Sequence, residues 1–170
     1  DVVVAPALAY GSSGEHDGFA GTLSIGRDAV EVVLVELVRS ASASFERLLL
    51  VCAHGGNAAP LRAAERRLRE EGRDVHAWLP HWSSDAHAGR LETSLMLAIA
   101  PERVRLQDAA VGATAPLAEL MPQLVESGVR AVSPNGVLGD PAGASADEGR
   151  DLLAAEVALL VGAVERWDDT

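Results

Sequence analysis

The sequence has 170 residues and a formal net charge of −11, since 25 side chains are acidic and 14 are basic. This acidity argues against nucleic acid as a partner, because phosphate binding needs clustered positive charge. A single cysteine, Cys52, excludes a disulfide framework and a cysteine-rich zinc module. No apolar run reaches the ~20 residues of a membrane span, so we expect a cytoplasmic, single-domain protein without a membrane partner.

Three short apolar runs have the length and composition of buried strands. Val2–Ala5 is rich in β-branched residues and is ended by Pro6. Leu48–Cys52 and Val75–Leu79 are apolar runs of the same kind. We therefore predict three strands over these ranges.

Helical periodicity follows each of these runs. Residues 27–43 carry an apolar face with a period close to 3.6 residues, formed by Val30, Val33, Leu34, Leu37 and Val38. A charged helix is predicted over about 58–71, where Gly72 ends it. Another helix is predicted from near Glu92 to Pro101.

The last third of the chain contains an irregular stretch and one long helix. Prolines and glycines interrupt residues 113–143, so we expect no regular element there. A helix is predicted over about 145–167, with Ser145 as its N-cap and Glu148 at the capping-box spacing. Strands that alternate with helices indicate the α/β class, as a single layered domain over 1–170 with a mainly parallel central sheet flanked by helices.

Polar segments follow the predicted strands, at the positions where ligands bind in open α/β sheets. These segments are the loop with Glu15 and His16, the turn His54-Gly55-Gly56-Asn57, and the stretch from Asp85 to Glu92 that contains His87. We therefore expect the polar chemistry to converge at one edge of the sheet. His54 would project from a strand end, and its two glycines would let a substrate approach backbone N–H groups closely.

A purely structural explanation is open for each of these features. His54 can be a polar residue in a tight strand-to-helix turn, and Glu92 can be a first-turn carboxylate favoured by the helix dipole. Alternatively, His87 is a proton shuttle and Glu92 a metal ligand, because imidazole titrates near neutral pH. Trp82 either lines a pocket or is simply exposed. The sequence has no G-x-S-x-G elbow, so an α/β-hydrolase is unsupported.

Together, the three polar segments resemble the motifs of the creatininase family. Residues 10–24, with Phe19-Ala20-Gly21-Thr22, resemble a loop of the family, and residues 54–57 resemble its metal-binding turn. Residues 87–94 resemble its histidine-glycine and Glu-Thr-Ser motifs. Residues 132–141 resemble the late segment of one subfamily, whose members trim a modified ribosomal precursor peptide. The order and rough separations also agree, so the resemblance covers nearly the whole chain.

The resemblance implies a divalent-metal amidohydrolase, with iron(II) or zinc, that assembles as a homo-oligomer such as a hexamer or octamer. By position, it implies His54 as a metal ligand, Glu92 as a further ligand with a catalytic role, and His87 as the catalytic proton-transfer residue. The candidate substrate-binding residues are Ser13, Glu15, His16, Gly55, Gly56, Asn57 and Trp82. For the peptide-trimming subfamily, the resemblance implies removal of a C-terminal Val-Tyr dipeptide during maturation of a redox cofactor.

The sequence departs from the family in its ligands. Gly56 stands where creatininase itself has a glutamate ligand, so Glu92 is expected to take that role, and Cys52-Ala53 stands where Asn-Gly is usual. The family's first ligands, in a Glu-x-His motif and an aspartate, precede the segment with which this sequence opens. Because a hydrolytic zinc or iron site needs about three protein ligands, we expect either a preceding segment of roughly 50–70 residues or a catalytically incomplete fragment.

Two other functions are open on the sequence alone. A cyclic amide or formamide hydrolase of the same family would keep the chemistry and change the substrate. A truncated, non-catalytic subunit or scaffold would bind no metal and would hydrolyse nothing.

Overall fold

Two parallel strands, β1 and β2, form the sheet of the described chain. The computed structural model describes residues 2–80 and 85–168. Strand β1 is Arg47–Val51 and strand β2 is Asp74–Trp78. They pair in parallel with Leu48 opposite Val75, and the N–H of Cys52 continues the ladder to the carbonyl of Trp78 at 3.0 Å.

Five α-helices lie in the described ranges. They are α1 (Arg27–Ala41), α2 (Ala58–Glu70), α3 (Arg90–Ile99), α4 (Leu117–Val132) and α5 (Ala146–Asp168). Single 3₁₀ turns occur at Gly14–His16, Gly55–Asn57, Pro101–Arg103 and Leu106–Asp108. The predicted helices over 27–43, 58–71, 92–101 and 145–167 are thereby confirmed, with ends that differ by a residue or two. None of the described helices is long and apolar enough to cross a membrane.

The chain groups into two compact units. Unit 1 comprises the described residues of Asp1–Gly14 and Ala20–Pro80. Unit 2 comprises the described residues of Glu15–Phe19 and His81–Thr170. The single-domain organisation over 1–170 stays a prediction, and each unit is described by itself.

The core of unit 1 is formed by α1, α2 and the sheet. Its buried side chains are Val35, Val38, Ala64, Leu68 and Val75. Leu48 and Leu50 of β1 are partly buried against this cluster, and the strand register puts both on the same face as Val75. The predicted α/β class, with a parallel sheet flanked by helices, is confirmed.

The buried stripe of α1 differs slightly from the predicted one. Val30 and Val38 are buried as expected, but Leu37 is 51% exposed. Val35 is buried instead, because it lies three residues before Val38 on the same helical face.

Helices α3 and α5 pack closely in unit 2. A Cβ at Gly149 would lie 1.9 Å from the carbonyl oxygen of Ser94, so only glycine permits this approach. The Ser94 hydroxyl is fully buried, donates to Glu148 Oε2 at 2.7 Å and accepts from the N–H of Ser145 at 3.1 Å. The N–H of Glu148 donates to Ser145 Oγ at 3.2 Å, so the predicted N-cap of α5 is confirmed.

The strand predicted at Val2–Ala5 is wrong. These residues have no strand pairing within the described chain, and Val2 and Val4 are 83% and 89% exposed. An apolar, β-branched run becomes a strand only when another backbone edge pairs with it. The described chain offers this run no such edge, so the sheet is smaller than expected.

Helix α4 contradicts the prediction that residues 113–143 are irregular. It contains Pro122, which removes one backbone hydrogen bond to the carbonyl of Ala118. Both residues are exposed, so water can satisfy that carbonyl and the helix tolerates the proline. At Gly128, φ is 73° and ψ is 178°, and this non-helical conformation divides α4 into two segments.

Candidate functional site

His54 lies on the short connection between β1 and α2 in unit 1. It directly precedes the 3₁₀ turn Gly55–Asn57, and the N–H of Asn57 donates to the His54 carbonyl at 3.1 Å. Upstream, Cys52 is still hydrogen-bonded to β2. The histidine is therefore held between a strand and a helix, as the sequence predicted for a residue at a strand end.

The imidazole of His54 is oriented by a backbone carbonyl. His54 Nε2 lies 3.0 Å from the carbonyl oxygen of Ser12 and 3.4 Å from Ser13 Oγ. Because a carbonyl oxygen can only accept, Nε2 is the donor, and the neutral ring then has its lone pair on Nδ1. Metal-binding histidines are typically oriented in this way, by donating their other ring N–H to a carbonyl or carboxylate.

The side chain of Asn57 fastens the Ser12 loop to this turn. Asn57 Oδ1 accepts the N–H of Ser12 at 2.7 Å. A Cβ at Gly11 would lie 2.7 Å from Asn57 Nδ2, so the glycine makes room for the amide. The side chain of Asn57, which was predicted to bind substrate, therefore holds the backbone of Ser12 within unit 1. Ser12 is a further residue of the candidate site, because its carbonyl contacts His54. No feature of the sequence singled out Ser12, because it contributes a main-chain carbonyl.

The two glycines after His54 differ in their surroundings. Gly55 is exposed, and a Cβ there would meet no atom within 4 Å. Gly56 is half-buried. The backbone at Gly55 is therefore open to an approaching ligand, as the predicted substrate-binding role requires.

His87 and Glu92 form a hydrogen-bonded pair in unit 2. Glu92 stands in the first turn of α3, and its Oε2 lies 3.1 Å from His87 Nδ1. The same oxygen accepts the N–H of Ala88 at 2.6 Å, and Thr93 Oγ1 donates to the carbonyl of Ala88 at 3.4 Å. The Glu-Thr part of the motif therefore holds the histidine loop against the start of α3.

The backbone of His87 is fixed by a second segment of unit 2. Its N–H donates to the carbonyl of Leu138 at 3.3 Å, and its carbonyl accepts the N–H of Leu138 at 2.8 Å. These two bonds form an antiparallel bridge. The contact with Leu138 was not predictable from the sequence, because pairing between distant segments leaves no local signal.

Asp85 contacts the start of α3 and so supports the loop that contains His87. Its Oδ1 accepts the N–H of Leu91 at 3.4 Å. A Cβ at Gly89 or at Gly139 would collide with the Asp85 side chain, at 1.8 Å and 2.5 Å respectively. Two glycines from separate segments therefore lie against this carboxylate, and no feature of the sequence had indicated a role for it.

The surroundings of His87 raise the pKa of its imidazole. The hydrogen bond that its ring donates to Glu92 is the largest cause, and the negative charges of Glu92 and Glu15 add to it, whereas burial opposes it. The protonated form therefore persists to higher pH than in a free histidine. A group that carries a proton near neutral pH suits general acid catalysis.

Glu15 and His16 lie beside this pair in unit 2. The rings of His16 and His87 have centroids 4.5 Å apart and are tilted by 49°. Glu15 Oε1 lies 3.7 Å from His16 Nε2. Two carboxylates and two imidazoles, predicted from separate motifs, are thus brought together.

The predicted site residues fall into two groups, one in each unit. Unit 1 contains Ser13, His54, Gly55, Gly56 and Asn57, and unit 2 contains Glu15, His16, His87 and Glu92. Trp82 lies outside the described residues. Within residues 2–80 and 85–168, no three histidine, cysteine, aspartate or glutamate side chains form a group that could hold a metal ion. The described residues therefore do not by themselves supply a hydrolytic metal site.

Comparisons with known proteins agree on one family. The family described as "Creatininase: Creatinine amidohydrolase" matches residues 1–164. A protein of Mycobacterium ulcerans named mycofactocin precursor peptide peptidase is 52% identical over 167 residues, which cover 97% of this chain and 66% of that protein. Its namesake in Mycolicibacterium smegmatis is 50% identical over 169 residues, which cover 98% and 68%.

A third relative has the same name. The Mycobacterium tuberculosis protein (strain H37Rv) is 48% identical over 167 residues, which cover 97% of this chain and 66% of that protein. The chain thus spans about two thirds of the length of the curated relatives that it matches.

Proposed function

Because the chain belongs to the creatininase family, we propose that it is a peptidase acting on the modified mycofactocin precursor peptide. The bond that it hydrolyses joins the C-terminal Val-Tyr dipeptide to the rest of that peptide. Three relatives named mycofactocin precursor peptide peptidase, which are 52%, 50% and 48% identical to the chain over the aligned residues, support the substrate. The observation that carries the chemistry is the His87–Glu92 pair, with 3.1 Å between Nδ1 and Oε2.

His87 is the proposed general acid. Peptide hydrolysis breaks a C–N bond, and the departing amine must gain a proton while water supplies the hydroxyl of the new carboxylic acid. Glu92 engages His87 at Nδ1, so Nε2 is the atom that delivers the proton. The raised pKa of His87 keeps that proton available near neutral pH, and a proton from the attacking water replaces it.

A divalent metal, iron(II) or zinc, is the proposed cofactor. We assign His54 and Glu92 as metal ligands, and the Nε2 contact of His54 with Ser12 leaves Nδ1 suited to that task. When bound, such a metal lowers the pKa of a water molecule and polarises a carbonyl group. A hydrolytic site needs about three protein ligands, and no three such side chains in the described part of the chain form a group that could hold a metal ion. The proton transfer by His87 is the step that these residues support.

Further proposals concern the substrate, the assembly and the location. The substrate contacts are proposed to come from Ser13, Glu15, His16, Gly55, Gly56, Asn57 and Trp82. We also propose that the protein forms a homo-oligomer, either a hexamer or an octamer, and that it is located in the cytoplasm. The exposed backbone at Gly55 supports the first of these proposals, because peptide substrates are commonly held by main-chain hydrogen bonds.

The proposed function is tested with the modified precursor peptide. The purified protein, loaded with iron(II) or zinc, is incubated with this peptide, and released Val-Tyr is measured by mass spectrometry. We expect Val-Tyr release that stops when a chelator is added. Turnover of creatinine or formamide without Val-Tyr release would instead indicate a cyclic amide or formamide hydrolase. Hydrolysis of none of these substrates, with no bound metal, would indicate a non-catalytic subunit.

A further inference from the structure

The segment Glu15–Phe19 is separated in sequence from the rest of the unit to which it belongs. It belongs to unit 2, whereas the residues on both sides of it in the chain belong to unit 1. The 3₁₀ turn Gly14–His16 and a hydrogen bond from the N–H of Phe19 to the carbonyl of His16 at 3.2 Å give the segment a fixed shape. Because the flanking residues belong to the other unit, specific contacts with unit 2 must hold this short segment in place.

Those contacts come from α4 and the turn that follows it. Arg130 donates from Nη1 to the carbonyl of Gly18. A Cβ at Gly128 would lie 2.9 Å from the carbonyl oxygen of Glu15, so the break in α4 makes room for this backbone. A Cβ at Gly136 would lie 3.3 Å from the ring of Phe19, so that ring packs directly on the backbone of the turn.

The result of this docking is the ring contact between His16 and His87. The two centroids are 4.5 Å apart. His87 is already fixed at its backbone by Leu138 and at Nδ1 by Glu92. A hydrogen bond at Nδ1 still lets the ring tilt about that contact, and Nε2, on the far side of the ring, would move most. The His16 ring lies against the His87 ring, in a position to oppose this tilt.

We propose that His16 is a positioning residue, whose ring holds the His87 imidazole in the orientation that directs Nε2 at the departing amine. The inference rests on the proposed role of His87 in peptide hydrolysis. His16 acts by packing, so the shape of its ring matters and its nitrogen atoms do not. Misplacing a proton donor by about an ångström can cost up to about 100-fold in rate, so a ring contact of this kind has a measurable effect.

Two substitutions separate packing from nitrogen chemistry. His16→Ala removes the ring, and we expect kcat for Val-Tyr release to fall about tenfold, in addition to any rise in KM that the loss of its proposed substrate contact causes. His16→Phe keeps a ring, and we expect it to restore kcat to within about twofold of wild type. His76→Ala, the same substitution in β2 of unit 1, is the matched control and leaves kcat unchanged. Wild-type kcat in His16→Ala, or a His16→Phe variant as slow as His16→Ala, would overturn the proposal.

A second measurement does not depend on activity. Nitrogen–proton correlation NMR of the imidazole rings reports whether the His87 ring has one orientation. We expect sharp His87 signals in the wild type and in His16→Phe, and exchange-broadened signals in His16→Ala. Unchanged His87 signals in His16→Ala would overturn the positioning role. If the wild-type protein releases no Val-Tyr, the proposed function fails, and this NMR comparison decides the inference about ring orientation on its own.

Discussion

Each unit contains one candidate functional histidine, and the hydrogen-bond partners of these two histidines differ in charge. In unit 1, His54 donates from Nε2 to the main-chain carbonyl of Ser12. In unit 2, His87 meets the carboxylate of Glu92 at Nδ1. The first partner is uncharged and the second is an anion.

The difference shows how a neighbour selects the chemistry of an imidazole. A carbonyl fixes which nitrogen holds the proton and adds no charge, which is the arrangement typical of metal-binding histidines. A carboxylate adds negative charge and raises the pKa of His87, so the ring holds a proton that it can give away. This difference supports the proposed roles, in which His54 binds the metal and His87 transfers the proton.

Removing the proton donor is the severest test of this contrast. For His87→Ala, we expect turnover of the precursor peptide to fall about 10²–10⁴-fold, because general acid catalysis contributes on that scale. Bound metal, measured by elemental analysis, should stay at the wild-type level. His76→Ala serves as the control, because this histidine of β2 has no proposed role as a ligand or proton donor. Unchanged turnover would remove His87 from the mechanism.

Removing the proposed ligand should give the opposite pattern. His54→Ala is expected to lower the metal bound per chain, since a hydrolytic site depends on each of its about three protein ligands. Activity should recover in part when excess metal is supplied. Elemental analysis of this variant beside His87→Ala compares the two histidines directly. Wild-type metal content in His54→Ala would contradict the assignment.

The support of α3 gives a smaller, structural test of unit 2. Ser94→Ala removes a fully buried hydroxyl and leaves Glu148 Oε2 and the Ser145 N–H without that partner. We expect the free energy of unfolding to fall by about 1–3 kcal/mol, as when buried polar groups lose a hydrogen bond. Urea unfolding measures this, with Ser40→Ala at an exposed position of α1 as control. Equal midpoints for the two variants would show that the buried hydroxyl does not hold α3 to α5.

The smallest expected effect on the free energy of unfolding comes from a surface ion pair of unit 1, between Arg39 of α1 and Glu71, the residue after α2. This effect should appear only above acidic pH. Arg39 donates to Glu71, and this hydrogen bond is the main reason that the pKa of Glu71 falls to about 2. A depressed carboxylate pKa stabilises the fold above pH about 4.5, and this stabilisation is lost as the pH falls towards about 2. Arg39→Gln should therefore lower the urea midpoint slightly at neutral pH, and the difference from wild type should vanish near pH 2.

The control for that prediction is Arg103→Gln, which breaks a highly exposed ion pair with the neighbouring Glu102. We expect it to leave the urea midpoint unchanged, because exposed ion pairs contribute little to stability. A difference between wild type and Arg39→Gln that stays constant down to pH 2 would contradict the role given to Glu71.

Local patterns were enough to predict four of the five described helices and to single out candidate site residues. The period of α1, the glycine that ends α2 and the N-cap of α5 at Ser145 depend on neighbouring residues, so the sequence alone predicted them. His87 and Glu92 were singled out in the same way, because they lie five positions apart at a helix start, although their hydrogen bond is known only from the structure. Such patterns need no knowledge of the tertiary fold.

Contacts between distant segments were not predictable in this way. The run Val2–Ala5 has the composition of a strand, yet strand formation depends on a pairing partner elsewhere. Leu138 and Ser12 act through their main chains, which any residue type supplies. Gly128 was taken as a sign of irregular structure, whereas its conformation lets α4 accommodate the loop that carries His16.

The contrast between the two histidines is tested most directly by locating their ring protons. Nitrogen–proton correlation NMR of the purified, metal-free protein distinguishes a proton on Nδ1 from one on Nε2 in each imidazole. We predict that His54 is protonated on Nε2 and unprotonated on Nδ1. We predict that His87 is protonated on Nδ1, which donates to Glu92. A proton on Nδ1 of His54, or an unprotonated Nδ1 on His87, would contradict the proposed roles of His54 in metal binding and of His87 in proton transfer.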